Sequence, residues 1–166
     1  MLCTNGITAT TKWHYPNLGN GGRVCLFAVT AIQARAATQT ITNMKTAVII
    51  ISDPKAGEEA LARVFNALAV AAEGSQAGDE VEVSFIGTGT RWPAELSKLT
   101  SPVNALYNEV RGLVVGASCA CAAVFGATES VQACGIKEKK DNVLNGTPGL
   151  LSLRHYLADG WNVLIF

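Results

Sequence analysis

The chain has 166 residues, 49% of them apolar and 16% charged, with 13 basic side chains balanced by 13 acidic ones. That length suits one domain able to bury a core without disulfide staples, and the composition excludes a disordered chain. A formal charge of zero, with Lys137-Glu138-Lys139-Lys140 as the one short basic cluster, argues against a nucleic-acid footprint, and the longest apolar runs fall short of a bilayer span.

Five cysteines in irregular spacing argue against a secreted disulfide framework and point to free thiols in a reducing compartment, the cytoplasm by default. Residues 1–43 read differently from the rest: Lys12, Arg23 and Arg35 occur there without any Asp or Glu. Three readings compete. The segment fits an organellar presequence. It also fits a secretory signal, with Arg23, an apolar stretch over 24–32 and a cleavage-like Ala34-Arg35-Ala36, although the long Gly- and Pro-containing lead-in counts against that. Or the native start is Met44-Lys45. In each case the segment is expected to be poorly ordered or loosely attached, to carry no chemistry, and to leave 44–166 as the single domain.

From Met44 the pattern becomes regular. Ala47-Val48-Ile49-Ile50-Ile51, bounded by Ser52-Asp53-Pro54, predicts a strand buried on both faces. Leu61, Val64, Phe65, Leu68, Ala69 and Ala72 recur at helical spacing, with Glu59 and Arg63 four apart on the wet side and Gly74 and Gly78 closing the helix. Glu80–Phe85 alternates strictly, which predicts a strand with one solvated face or near an edge. The three segments make a right-handed βαβ unit.

Gly87-Thr88-Gly89-Thr90-Arg91-Trp92-Pro93 follows. A glycine-rich loop after a strand can cradle phosphate, but the third glycine of a dinucleotide fingerprint is missing and Pro93 interrupts, so a turn needing positive φ is favoured. Short helices are predicted over 94–99 and 103–107, broken at Ser101-Pro102. A central strand over 113–115 then runs into a helix with Val124, Phe125, Thr128 and Val131 on one face, ended at Cys134-Gly135. Residues 137–146 read as a charged loop. Pro148 is placed as the first residue of a helix carrying Leu150, Leu153 and Leu157, capped by Gly160, and 161–166 form a last strand. The sum is a three-layer α/β/α sandwich around a mainly parallel sheet of about five strands, flavodoxin-like.

The centre of such a protein is the stretch from Val110 to Gly126, where a strand hands over to a helix at the sheet's carboxyl edge. Backbone N–H groups and the helix dipole there favour an anionic sulfur. Cys121 has the best address for it; its bland alternative is a small buried hydrophobe. Cys119 lies on the same side if the backbone is still extended, which permits a strained bridge or a shared metal. The metal lacks ligands, since His14 and His155 are isolated in sequence. Cys134, thirteen residues on, would sit about 20 Å from Cys121 along a continuous helix and cannot pair with it. It reads as packing, and Cys3 and Cys25 belong to the leading segment. Asp53 shares the edge with Cys121 and can orient a ligand, or else cap the next helix. Arg91 can hold an anion or be a solvated charge. Ser118, with Ala117 and Ala120, is small enough to admit a partner's thiol. A serine-hydrolase elbow, a P-loop and a His-Glu-x-x-His helix are all missing.

Several short motifs resemble the DsrE/DsrF-like sulfur-relay family. They are the strand opening 45–52 with Asp53-Pro54, the Gly78-Asp79-Glu80-Val81-Glu82-Val83 entry, Gly87-Thr88-Gly89, Cys121-Ala122-Ala123-Val124-Phe125-Gly126, and the ending 153–166 around Gly160. The likeness covers most of 44–166 and nothing before it, and order and spacing carry it. It implies a flavodoxin-like homo-oligomer without a bound cofactor, in which Cys121 passes sulfane sulfur as a persulfide between donor and acceptor proteins. The high apolar fraction and modest charge agree with self-association. Cys119 and Cys134-Gly135-Ile136 depart from the family pattern and leave Cys119 as an alternative carrier. Gly87, Gly89, Arg91, Asp53 and Ser118 are the expected substrate-side residues; nucleic acid and membrane are not expected partners. The competing expectations are a non-catalytic α/β assembly module with buried cysteines and, more remotely, nucleotide or flavin binding at residues 87–90.

Overall fold

A computed structural model describes residues 43–166; the readings made of 1–42, including Cys3, His14 and Cys25, lie outside the described residues. Among the described residues five strands form one sheet: β1 (Lys45–Ile50), β2 (Glu80–Phe85), β3 (Val114–Ser118), β4 (Glu138–Lys139) and β5 (Asn162–Ile165). Their order is β4-β3-β2-β1-β5, and every neighbouring pair is parallel. The helices are α1 (Glu58–Ala77), α2 (Trp92–Leu96), α3 (Asn104–Val110), α4 (Cys119–Val124), α5 (Thr128–Ala133) and α6 (Leu153–Ala158). Together they make the expected three-layer, flavodoxin-like α/β/α sandwich. Among the described residues no helix is long and apolar enough to cross a membrane.

The two faces of the sheet are unequal. On the major face, Val48, Ile50, Val81, Val83 and Phe85 meet buried residues drawn from α1 to α5. Ala60, Val64, Ala67, Leu68, Ala71 and Ala72 form the packed stripe of α1, as period 3.6 requires. Phe65, expected on that stripe, is half exposed; it falls one step outside the arc the alanines keep narrow. Gly78, in the left-handed conformation, ends α1 with its N–H on Gly74 and Ser75 carbonyls. Gly74 is a packing position inside the helix, because a Cβ there would press on Val81 Cγ2. On the minor face, Ala47 and Ile49 meet Leu151 and Tyr156, and among the described residues α6 is the one helix contributing to that cluster.

Four expectations change. The central strand is β2, not β3, which among the described residues has only the two-residue β4 outside it; 137–146 reads as loop in the sequence because two paired residues leave no periodicity. Strict alternation in β2 therefore does not mark an edge. It arises because Val81, Val83 and Phe85 enter the major core while Glu82 faces the minor side and accepts the Tyr156 hydroxyl. The helix expected from Cys121 to Cys134 is two helices, α4 and α5, parted at Gly126, whose φ is +66°. The 20 Å separation drawn from a continuous helix consequently does not hold, and Val124 is exposed rather than packed. Finally, α6 starts at Leu153 behind Ser152, whose hydroxyl accepts from His155 N; a serine cap wins over Pro148, which lies before it.

Candidate functional site

Parallel strands bring their carboxyl ends to one edge, where α/β proteins keep their sites. Here β1 delivers Asp53, β2 the tight 3-10 turn Gly87–Arg91, and β3 the run Ser118 to Cys121.

Asp53 and Arg91 meet. Asp53 Oδ1 accepts from Lys55 N at 3.0 Å, capping the short turn Pro54–Ala56, and Oδ2 pairs with Arg91 Nη1 at 2.6 Å. Arg91 Nε donates to the Phe125 carbonyl at 3.1 Å, and the guanidinium lies 5.8 Å over the Phe125 ring. One side chain thus ties the exit of β1, the turn after β2 and the end of α4 together. Only about a quarter of either partner is exposed (27% and 26%), so the pair is screened less than a surface ion pair. Trp92 Nε1 adds a bond to Ser52 O at 2.8 Å.

The Gly87–Arg91 turn is folded inward. Gly87 takes φ +54°, and Gly89 is buried so closely on β1 that a Cβ would overlap the Ile50 carbonyl. Gly89 N is bonded to Ile86 O, Thr90 Oγ1 to Gly87 O and Thr88 Oγ1 to Ile51 O. Gly87 serves chain reversal and Gly89 backbone apposition, with the Gly89 amide already taken.

The three described thiols differ. Cys119 is buried, whereas Cys121 and Cys134 are half-buried, and all three are free. Cys134 Sγ lies 3.9 Å from Ser97 Oγ. Cys121 sits one turn before Phe125, whose N–H bonds the Cys121 carbonyl at 3.0 Å. Arg91 thus holds the residue that caps the helix carrying Cys121. Ser118 is sealed, and its Oγ accepts from Leu151 N at 3.3 Å. Ala120 N donates to Gly149 O at 2.8 Å. Residues 149–151 therefore lie over the β3–α4 junction and occupy polar groups expected to face a ligand. Among the described residues no three His, Cys, Asp or Glu side chains cluster as metal ligands.

The structure thus joins Asp53, Arg91 and the helix of Cys121, and turns Cys119, Ser118 and Gly89 inward. Sequence reasoning missed the Phe125 carbonyl as the anchor of Arg91, for main-chain acceptors leave no mark in residue identity. It also missed a polar cavity of about 530 Å³ on the minor face, whose signal was Glu80 and Glu82 on one side of β2. No model of a known protein family and no curated protein matches the chain.

Proposed function

We propose that the protein is a sulfur carrier of the DsrE/DsrF-like kind, with Cys121 as the thiol that is loaded. The observation that carries this reading is the contrast between two neighbouring cysteines: Cys121 is partly exposed at the carboxyl edge while Cys119 is buried. The Cys121 thiolate attacks the outer sulfur of a donor persulfide; the new S–S bond forms as the donor's breaks, and the donor leaves as its thiolate. An acceptor thiolate repeats the exchange in the other direction, so no external oxidant is consumed. The Arg91–Asp53 clasp holds the end of α4 and so fixes where the sulfur is presented. Donor and acceptor proteins are the partners, and the carrier works as a homo-oligomer. Loading with a low-molecular-weight persulfide, read by mass spectrometry, is expected to add one sulfur to the wild type and to Cys119→Ser, and none to Cys121→Ser. Retention of the added sulfur in Cys121→Ser would overturn the assignment.

A second reading draws on the seal that 149–151 form over the junction: a non-catalytic assembly module whose thiols pack. Alkylation kinetics separate the two. Rapid native-state alkylation confined to Cys121 supports the carrier, and reaction of every thiol only in denaturant supports the module. Static light scattering reports the oligomer directly, and a monomer would remove that part of the proposal.

A further inference from the structure

The minor face carries a feature independent of the cysteines. Over β1 and β5 this face is apolar, with Ala47, Ile49 and Val163 under α6. Over the neighbouring strands it is polar: Glu82 and Ser84 on β2, Gly116 beside Ser84 on β3, and Lys139 beside Ser118 on β4. An interior parallel strand is ordinarily covered by apolar packing on both sides. Ser84, Gly116 and Ser118 are covered, but beside Glu82 a cavity of about 530 Å³ takes the place of that packing, lined by Glu82, Lys139, Asp141, Arg154, Tyr156 and Trp161. That volume is in the range of small-molecule sites.

The lining charges decide what fits. Lys45 and Glu80, also in the lining, neutralise each other at 3.2 Å, and His155 stands 3.3 Å from Asp159. Lys139, Arg154 and Asp141 have no ion pair among the described residues. Glu82 accepts the Tyr156 hydroxyl on Oε2 at 2.6 Å, which leaves Oε1 available. Gly116 is needed on two counts: a Cβ there would meet the Lys137 carbonyl at 2.6 Å and Lys139 Cγ at 2.7 Å, so the glycine admits the neighbouring backbone and lets the lysine stem lie across β3. Two cations and two carboxylates are thus left to meet a ligand, Arg154 and Asp141 from the solvent-exposed rim and Glu82 and Lys139 from the partly covered wall. A polyanion would meet Glu82 and Asp141, and a polyamine would meet Lys139 and Arg154. Tyr156 and Trp161, edge to face at 5.4 Å, add an apolar wall.

We propose that this cavity binds a compact zwitterion of the amino-acid type, its carboxylate held by Arg154 and Lys139 and its ammonium by Glu82 and Asp141. The test uses the full chain, thermal unfolding and calorimetric titration, with each free L-amino acid beside its N-acetyl and methyl-ester forms. At least one free amino acid is expected to bind and raise Tm, and blocking either end is expected to weaken binding roughly tenfold or more, as loss of a charged hydrogen bond does. Arg154→Ala and Glu82→Gln should each weaken it by a similar factor, and Cys121→Ser should bind as the wild type does, which separates this site from the sulfur reading. If Glu82→Gln disturbs folding through its tyrosine bond, Asp141→Asn, which breaks no hydrogen bond among the described residues, makes the same test. Binding by no amino acid, equal binding of the blocked forms, or preference for a nucleoside triphosphate or spermidine would overturn the proposal.

Discussion

Arg91 spends its guanidinium on three neighbours: a carboxylate, a carbonyl and a ring face. Arg91→Ala leaves Asp53 and the Phe125 carbonyl without those partners, and is expected to cost about 1–2 kcal/mol after allowing for partial solvent screening. Urea unfolding checks it, and Arg91→Lys should recover little, because one ammonium cannot reproduce a planar fork. Ser84 is the opposite case. Its hydroxyl is fully buried with no hydrogen-bond partner among the described residues, so Ser84→Ala is expected to be neutral or to stabilise by up to about 1 kcal/mol. Two tyrosines give stability a pH dependence. Burial, then the hydrogen bond to Glu82, raises Tyr156 far above the ordinary 10.0, and burial raises Tyr107. The folded chain therefore keeps protons that the unfolded chain releases above pH 10. This contribution is whole below pH 10 and is lost as the pH climbs toward the folded values. Denaturation measured on both sides of pH 10 should show the decline, and Tyr156→Phe should flatten it.

At the scale of elements, long periodic segments were legible and short ones were not. Period 3.6 found α1, and a β-branched run and an alternating one found β1 and β2 within a residue or two, because burial of a whole face writes itself into composition. Gly126, at φ +66°, is what lets α4 stop and α5 begin, a break that one glycine among small residues does not announce. Two-residue β4 is defined by pairing with Ala117 and Ser118, which no local pattern encodes. The candidate site was legible as residue types at strand ends, but not as contacts: that Ser118 is taken by Leu151 and Arg91 by Phe125 depends on chain segments that meet only after folding. The glycine turn after β2 makes the same distinction testable. Gly89→Ala would force a methyl into the Ile50 carbonyl and is expected to cost several kcal/mol, since neither backbone can yield cheaply. Gly112→Ala meets nothing within 4 Å and should be neutral or slightly stabilising through the unfolded chain. Chemical denaturation of the pair reads both.

For the whole molecule, the parallel sheet and its layers followed from the alternation of strand and helix segments, whereas the strand order did not, because neighbouring strands are not neighbours in sequence at one position. That position is β5 against β1, where Asn162 Nδ2 reaches Lys45 O across 117 positions. Phe166 N donates to Ile49 O, and Ile51 N and Ser52 N return bonds to Phe166 O. β1 thus waits for β5 before one of its sides is hydrogen-bonded within this sheet. Until residues 162–166 have cleared the ribosome, the nascent chain holds an apolar strand with open amides and carbonyls, the situation in which chains pair with one another instead. Synthesis rate and chaperone supply should accordingly govern yield more than the stability of the finished protein does.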